Sequence, residues 1–88
     1  MNIPTIGALA YYDSLTAGLI PCRVEKHVER PDYAGPEVVV KFTASRGPYK
    51  RGEMVQSLPR YVVPRFAVHT RGGQYRIGAY SWTGLDSN

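Results

Sequence analysis

The run Val38–Val40 is the feature that most constrains how this chain can fold. β-branched side chains are stiff at χ1 and favour extended backbone, and Phe42 continues the two-residue spacing of Val38 and Val40. We therefore predict a strand over Glu37–Ala44. Its core face would carry Val38, Val40, Phe42 and Ala44.

A second strand is predicted over Leu19–Glu29, because apolar and polar residues alternate there with a period of two. One face would carry Ile20, Cys22, Val24 and Val28, and the other Arg23, Glu25, His27 and Glu29. Lys26 interrupts the apolar face and is expected to mark the point where the strand leaves the core. The turn formers of residues 30–36, RPDYAGP, then predict a loop.

Glycine and proline divide the chain beyond Ala44. Residues 45–52, SRGPYKRG, predict a turn, and Glu53–Leu58 predicts a shorter strand. Pro59 and Pro64 bracket the sequence RYVV. Because proline has no amide hydrogen to donate, this piece is predicted to be a corner or a 3₁₀-like turn.

A hairpin is predicted over Arg65–Tyr80, with its turn at Gly72-Gly73. One face would collect Phe66, Val68, Thr70, Tyr75, Ile77 and Ala79, and the other Ala67, His69, Arg71, Gln74, Arg76 and Gly78. A slip of one residue would mix the two sets, so their separation favours this register.

The 88 residues suffice for one domain. We predict an all-β domain with an irregular N-terminal arm at residues 1–18, a mostly antiparallel five-stranded barrel at residues 19–82 and a flexible tail at residues 83–88. Strands this short and few do not build a two-sheet sandwich, whereas partial closure into a barrel removes exposed edges.

Residues 19–65 resemble the SH3-like small barrels, in the broad sense that includes Tudor and KOW domains. GLIPCRVEKHV is similar to their first strand, EVVVKFTASRGPYKRGE to their second strand and the turn into the third, and PRYVVPR to the short turn before a last strand. The resemblance implies a small β-barrel that serves as a binding module. The compact chain also resembles small proteins encoded by phages and mobile elements.

Positive charge is concentrated in one part of the chain. Between Lys41 and Arg76 there are eight cations and one acid, whereas the remainder has three cations and six acids. This asymmetry predicts a polyanionic partner or an acidic protein surface. The alternative is that the charge serves solubility alone.

Two groups of side chains are candidates for that contact. The basic loop and corner supply Arg46, Tyr49, Lys50, Arg51, Arg60, Tyr61 and Arg65, and the outer hairpin face supplies His69, Arg71 and Arg76. Arg and Lys bind phosphates as forks or point charges, and Tyr can stack on a base. The alternative is a solvated rim with Tyr49 and Tyr61 packed at the edge of the core.

Catalysis, metal binding and cofactor binding are not predicted. His27 and His69 are the only histidines, and neither has zinc-ligand spacing to the other or to Cys22. Cys22 and His27 are five residues apart, so on a regular strand they would point to opposite faces. No paired carboxylates and no helix-opening phosphate loop are present in the sequence.

The lone Cys22 excludes an internal disulfide, no apolar run approaches the roughly 18 residues of a membrane span, and the first residues lack a basic signal-peptide start. We therefore expect a cytoplasmic, non-enzymatic binding module without a membrane partner. DNA or RNA is the first expected partner. The alternative is an adaptor or inhibitor that docks on an acidic protein, and a third possibility is a homo-oligomer formed by sheet extension.

Overall fold

A computed structural model describes residues 3–29, 35–70 and 72 of the chain. Its strands are β1 (Leu9–Asp13), β2 (Leu19–Val28), β3 (Glu37–Phe42), β4 (Met54–Ser57) and β5 (Val62–Pro64). A 3₁₀ turn covers Pro59–Tyr61, and a short helix, α1, covers Arg65–Thr70.

The strands form one antiparallel sheet in the order β4-β3-β2-β1-β5. The prediction of a mostly β domain with five antiparallel strands is confirmed. The predicted barrel is wrong, because the sheet is open and its edge strands β4 and β5 are not paired with each other. Only three residues long, β5 ends at a proline and leads directly into α1, so within the described ranges no strand closes the sheet.

The main core lies on one face of this sheet, which we call the inner face. It contains Ala10, Ile20, Cys22, Val24, Val38, Val40, Phe42 and Val62, all nearly inaccessible to solvent. Ala8, Tyr12, Tyr49 and Val55 pack around them. Because Val62 of β5 and Val55 of β4 come from opposite edges of the sheet, the sheet must curve strongly to bring both against one core.

The valine-rich strand β3 is confirmed, and it ends at Phe42, two residues earlier than expected. The alternation in β2 holds from Ile20 to Val24, where a β-bulge shifts the register. After the bulge His27 is paired with Val38 of the inner face, so the predicted faces of His27 and Val28 are exchanged. Lys26, which interrupts the alternation of apolar and polar residues in the sequence, directly follows this bulge.

The predicted irregular arm contains β1, which pairs with both β2 and β5. The segment that resembles a first strand, residues 18–28, is therefore the second strand of the sheet. No clean alternation marked β1, because its outer face is covered at Tyr11 and Asp13 and open only at Leu9. Ala10 and Tyr12 pack in the inner core, whereas Tyr11 packs on the opposite side.

The predicted hairpin is wrong over its first half, since residues 65–70 form α1 rather than a strand. The adjacent residues Ala67 and Val68 are both buried, which a strand with one solvated face, as predicted here, does not allow. They pack with Val63, Tyr11, Leu19 and Phe66 in a second apolar cluster. The second half of the hairpin and the tail at 83–88 lie outside the described residues.

Two smaller predictions are confirmed. The corner at PRYVV is the 3₁₀ turn Pro59–Tyr61 followed by β5, and β4 lies inside the predicted strand Glu53–Leu58. No helix in the part of the chain that the structure describes is long and apolar enough to cross a membrane.

The loop between β1 and β2 holds Leu15 at φ 69°, in the left-handed region. The Asp13 carboxylate accepts a hydrogen bond from the Leu15 amide at 3.0 Å, and the Ser14 hydroxyl bonds to the Gly18 carbonyl at 2.8 Å. The Leu15 side chain is 65% exposed, so packing contributes little at this position.

We expect Leu15→Gly to raise the free energy of unfolding by up to about 1 kcal/mol, because glycine adopts positive φ without steric cost. Leu15→Val should lower it, since a β-branched residue is strained there. Urea unfolding of both variants tests this. A less stable glycine variant would contradict the assigned backbone strain.

Candidate functional site

Arg23 and Lys41 lie directly opposite each other on β2 and β3. Both side chains are exposed and point away from the inner core, onto the face we call the outer face. The same register places Leu9 of β1 beside Arg23 and Met54 of β4 beside Lys41. One row across the outer face therefore reads aliphatic, basic, basic, aliphatic.

A groove of about 550 Å³ opens beside this pair. We call it the basic groove; it is lined by Arg23, Glu25, Lys41, Phe42, Thr43, Arg51 and Gly52. Three cations and one carboxylate thus line one depression.

Arg51 reaches the basic groove because the loop between β3 and β4 folds tightly onto the sheet. The Gly52 amide donates to the Phe42 carbonyl and the Phe42 amide to the Glu53 carbonyl, each at 2.9 Å. The Arg51 amide donates to the Ser45 hydroxyl at 2.9 Å. Gly52 has φ 94°, a conformation that other residues rarely adopt.

Like charges directly opposite on neighbouring strands repel each other and destabilise a sheet. Within the described ranges, no hydrogen bond or ion pair involves the side chain of Arg23, Lys41 or Arg51. Their exposure to water limits the cost, but the positive potential of the three charges adds up in the groove. An anion that enters the groove would relieve the repulsion.

Arg46 and Tyr49, both predicted site residues, make contacts within the fold. They bridge across the loop, and Arg46 Nη1 donates to the Leu19 carbonyl at 3.0 Å. The Tyr49 ring packs edge-on against Phe42 with centroids 5.4 Å apart and contacts Tyr12 at 6.2 Å. Tyr49 therefore packs at the edge of the core, which was the alternative interpretation of this residue.

Lys50 is exposed in the same loop, and its amide donates to the Glu53 carboxylate at 2.9 Å. Its ammonium group adds to the charge of the loop but does not line the groove. Arg60 and Tyr61 contact each other in the 3₁₀ turn, where the Arg60 guanidinium lies 5.3 Å from the Tyr61 ring centroid. This pair lies outside the basic groove.

Arg65 and His69 of α1 converge on Tyr11 of β1. The Arg65 guanidinium lies 5.0 Å from the Tyr11 ring centroid, and its Nε donates to the Ala10 carbonyl at 3.3 Å. His69 Nε2 lies 3.1 Å from the Tyr11 hydroxyl. We call Tyr11, Arg65 and His69 the Tyr11 cluster. His69 thus lies on a helix and not on the predicted hairpin strand, and Arg71 and Arg76, the other predicted residues of that hairpin face, lie outside the described residues.

The predicted set omitted Arg23 and Lys41, which form the centre of the groove. The sequence predicted part of this arrangement, because the alternation in β2 placed Arg23 on the polar face of the strand. Pairing β2 with β3 through the intervening loop would have brought Lys41 opposite it. The missing information was the register, which depends on how the two strands bury their apolar faces.

The described residues contain no group of three His, Cys, Asp or Glu side chains that could hold a metal ion. Burial raises the pKa of the Cys22 thiol to about 12, an effect that the charge of Arg65 opposes. A thiol in this state carries little thiolate at neutral pH. His27 donates from Nε2 to the Pro4 carbonyl at 2.6 Å and so ties the N-terminal segment to β2.

No protein-family model, no curated protein and no solved structure matches this chain.

Cys22 should make stability fall at alkaline pH. The unfolded thiol ionises near pH 8.5, whereas the folded thiol stays protonated to about pH 12. Its contribution is therefore complete below the unfolded pKa and is lost as pH rises towards the folded value, by at most about 1.4 kcal/mol per pH unit. Urea unfolding of the native protein and Cys22→Ala at about pH 7 and about pH 10 tests this. Equal pH dependence in both proteins would contradict it.

Repulsion between Arg23 and Lys41 should be measurable as stability. We expect Lys41→Gln to be slightly more stable than the native protein at low salt, and Lys41→Glu to gain roughly a further 0.2–1 kcal/mol through a cross-strand ion pair. High salt should shrink both differences. Thermal unfolding at two salt concentrations measures them, and a native protein more stable than both variants would contradict the repulsion.

Proposed function

We propose that this protein is a non-catalytic binding module that binds the phosphate backbone of nucleic acid in its basic groove. The observation that carries the proposal is the facing pair Arg23 and Lys41, with Arg51 beside them and no described partner for any of the three charges. Like charges directly opposite each other destabilise a sheet, and a bound phosphate would offset the repulsion between these side chains.

Binding would proceed by exchange of counterions. Phosphates that enter the groove displace the cations condensed along the nucleic acid, and the released ions supply much of the free energy. Arg23 and Arg51 can present two donors to one phosphate, whereas Lys41 acts as a point charge. These contacts read the backbone and not the bases, so the proposal implies weak sequence preference.

The remaining exposed cation of the loop, Lys50, would strengthen the field without touching the bound phosphate. Arg46 is excluded from direct contact in this proposal, because it binds the Leu19 carbonyl. The carboxylate of Glu25 at the groove wall would disfavour a second phosphate at that end. A cytoplasmic location remains part of the proposal.

An acidic protein surface is the second candidate partner, and the two ends of the basic row favour it. Leu9 is 47% exposed and Met54 is 61% exposed. Methionine and arginine are enriched at protein interfaces, whereas nucleic-acid sites more often add aromatic rings for stacking. Leu9→Ser and Met54→Ser would weaken a protein complex and leave phosphate binding unchanged.

The resemblance to SH3-like domains also remains a proposal. A 3₁₀ turn directly before β5, the last strand in the described part of the chain, supports it, as does the strand–turn–strand arrangement of β3 and β4. The open sheet and the additional strand β1 before the resembling segment are the departures. A phage or mobile-element origin rests on the same general likeness.

The test is binding of the pure protein to fluorescently labelled DNA and RNA oligonucleotides by anisotropy, at several salt concentrations. We expect Arg23→Ala, Lys41→Ala and Arg51→Ala each to weaken binding and to reduce the slope of log K against log salt by roughly 0.7–0.9. Arg60→Ala removes the same charge outside the groove and serves as the matched control.

Absence of binding at low salt would remove nucleic acid as the partner and leave the acidic protein. An equal loss in Arg60→Ala and the groove variants would mean that net charge acts without a defined site. Circular dichroism of each variant separates loss of binding from loss of fold.

A further inference from the structure

We propose that the Tyr11 cluster is a second phosphate subsite, and that the ligand is a single nucleic-acid strand lying across the sheet from Arg51 to Arg65. This inference rests on the proposed function of the basic groove. Beyond that proposed function, we infer that the ligand is single-stranded and that it lies across the strands of the sheet.

The Tyr11 cluster has the donors that a phosphate requires. Arg65 and His69 are four residues apart, so they project from the same side of α1. The Arg65 guanidinium is positioned by its bond to the Ala10 carbonyl and by the Tyr11 ring. Its terminal nitrogens, which form the fork that binds phosphate, have no described partner.

The Tyr11 cluster and the basic groove lie on the same face of the sheet. Leu9 and Tyr11 alternate on β1, and Leu9 is paired with Arg23. Tyr11 is therefore a diagonal neighbour of Arg23, at roughly 7–8 Å for such positions in an antiparallel pair. The line from Lys41 through Arg23 to Tyr11 crosses the strands in adjacent steps and ends at the Arg65 guanidinium.

The shape of the outer face favours a single nucleic-acid strand over a duplex. The helix α1 covers the β1–β5 side through Ala67 and Val68, and the loop carrying Arg51 bounds the other side. Between them lie β2 and β3, which span roughly 10 Å at ordinary strand spacing. The two backbones of a duplex are separated by a major groove of about 12 Å, so both cannot lie on this floor at once, whereas a flexible single strand can follow it.

Base recognition is limited by the same geometry. One side of the Tyr11 ring is occupied by Arg65, and His69 approaches it at a tilted angle with centroids 5.9 Å apart. Stacking of a base on this ring would require Arg65 to move. The bound strand is consequently held by its phosphates at both ends, with the exposed Leu9 between them.

The experiment compares three labelled probes by fluorescence anisotropy: oligo(dT) of roughly eight nucleotides, a duplex of the same length, and a dinucleotide long enough for one subsite only. We expect the octamer to bind at least tenfold more tightly than either the duplex or the dinucleotide. Arg65→Ala should weaken the octamer roughly five- to tenfold and leave the dinucleotide unchanged.

Two further variants separate chemistry from folding. Arg65→Lys keeps the charge but loses the fork, so it should retain only part of the octamer affinity. Tyr11→Phe keeps the ring under Arg65 and removes the hydroxyl beside His69. His69→Gln, at an exposed position, replaces Arg65→Ala as the deciding variant if the latter does not fold.

Equal binding of the octamer by the native protein and the Tyr11 cluster variants, or equal affinity for octamer and duplex, would overturn this inference. In either case, if Arg51→Ala still weakens oligonucleotide binding, the proposed function of the basic groove stands. Loss of all oligonucleotide binding at low salt would overturn both.

Discussion

Burial of the inner-face side chains of β2 and β3 is the interaction on which the rest of this structure depends. Ile20, Cys22 and Val24 meet Val38, Val40 and Phe42 across a single antiparallel ladder. Each fully buried valine contributes on the order of 1.5–3 kcal/mol relative to an exposed one, so this patch outweighs any polar interaction described above. The curvature that brings Val55 and Val62 to the same core follows from covering this patch.

The same ladder creates the basic groove. Because side chains alternate along a strand, the register that aligns Cys22 with Phe42 also aligns Arg23 with Lys41 on the other face. A shift of one residue would bury charges, so the core leaves no freedom to separate the two cations. The electrostatic cost, of the order of a few tenths of a kcal/mol, is small beside the apolar term. A binding surface can therefore be maintained at little expense to stability.

The outer face shows how a short helix changes the use of a sheet. Where α1 packs on Tyr11, Leu19 and Val63, it covers the outer face with a second apolar cluster. Beyond α1 the outer face carries the exposed pair Arg23 and Lys41. This division places Arg65 and His69 next to the basic row. It also covers part of the outer face of β1, at Tyr11, which is why the sequence of β1 alternates poorly.

Local sequence determined the elements whose conformation depends on a few adjacent residues. These are the valine strand β3, the alternating start of β2, the 3₁₀ turn at Pro59 and the Gly52 turn. For these, β-branched stiffness, period-two burial and the missing proline amide act over a few residues. The candidate site was predictable only as a surplus of cations in one part of the chain and as Arg51 within a basic loop. Tertiary structure decided the rest: the bulge in β2, the strand β1, the helical state of residues 65–70 and the pairing of Arg23 with Lys41. Each of these depends on which residues, distant in sequence, cover a given face, and a short apolar run alone does not carry that information.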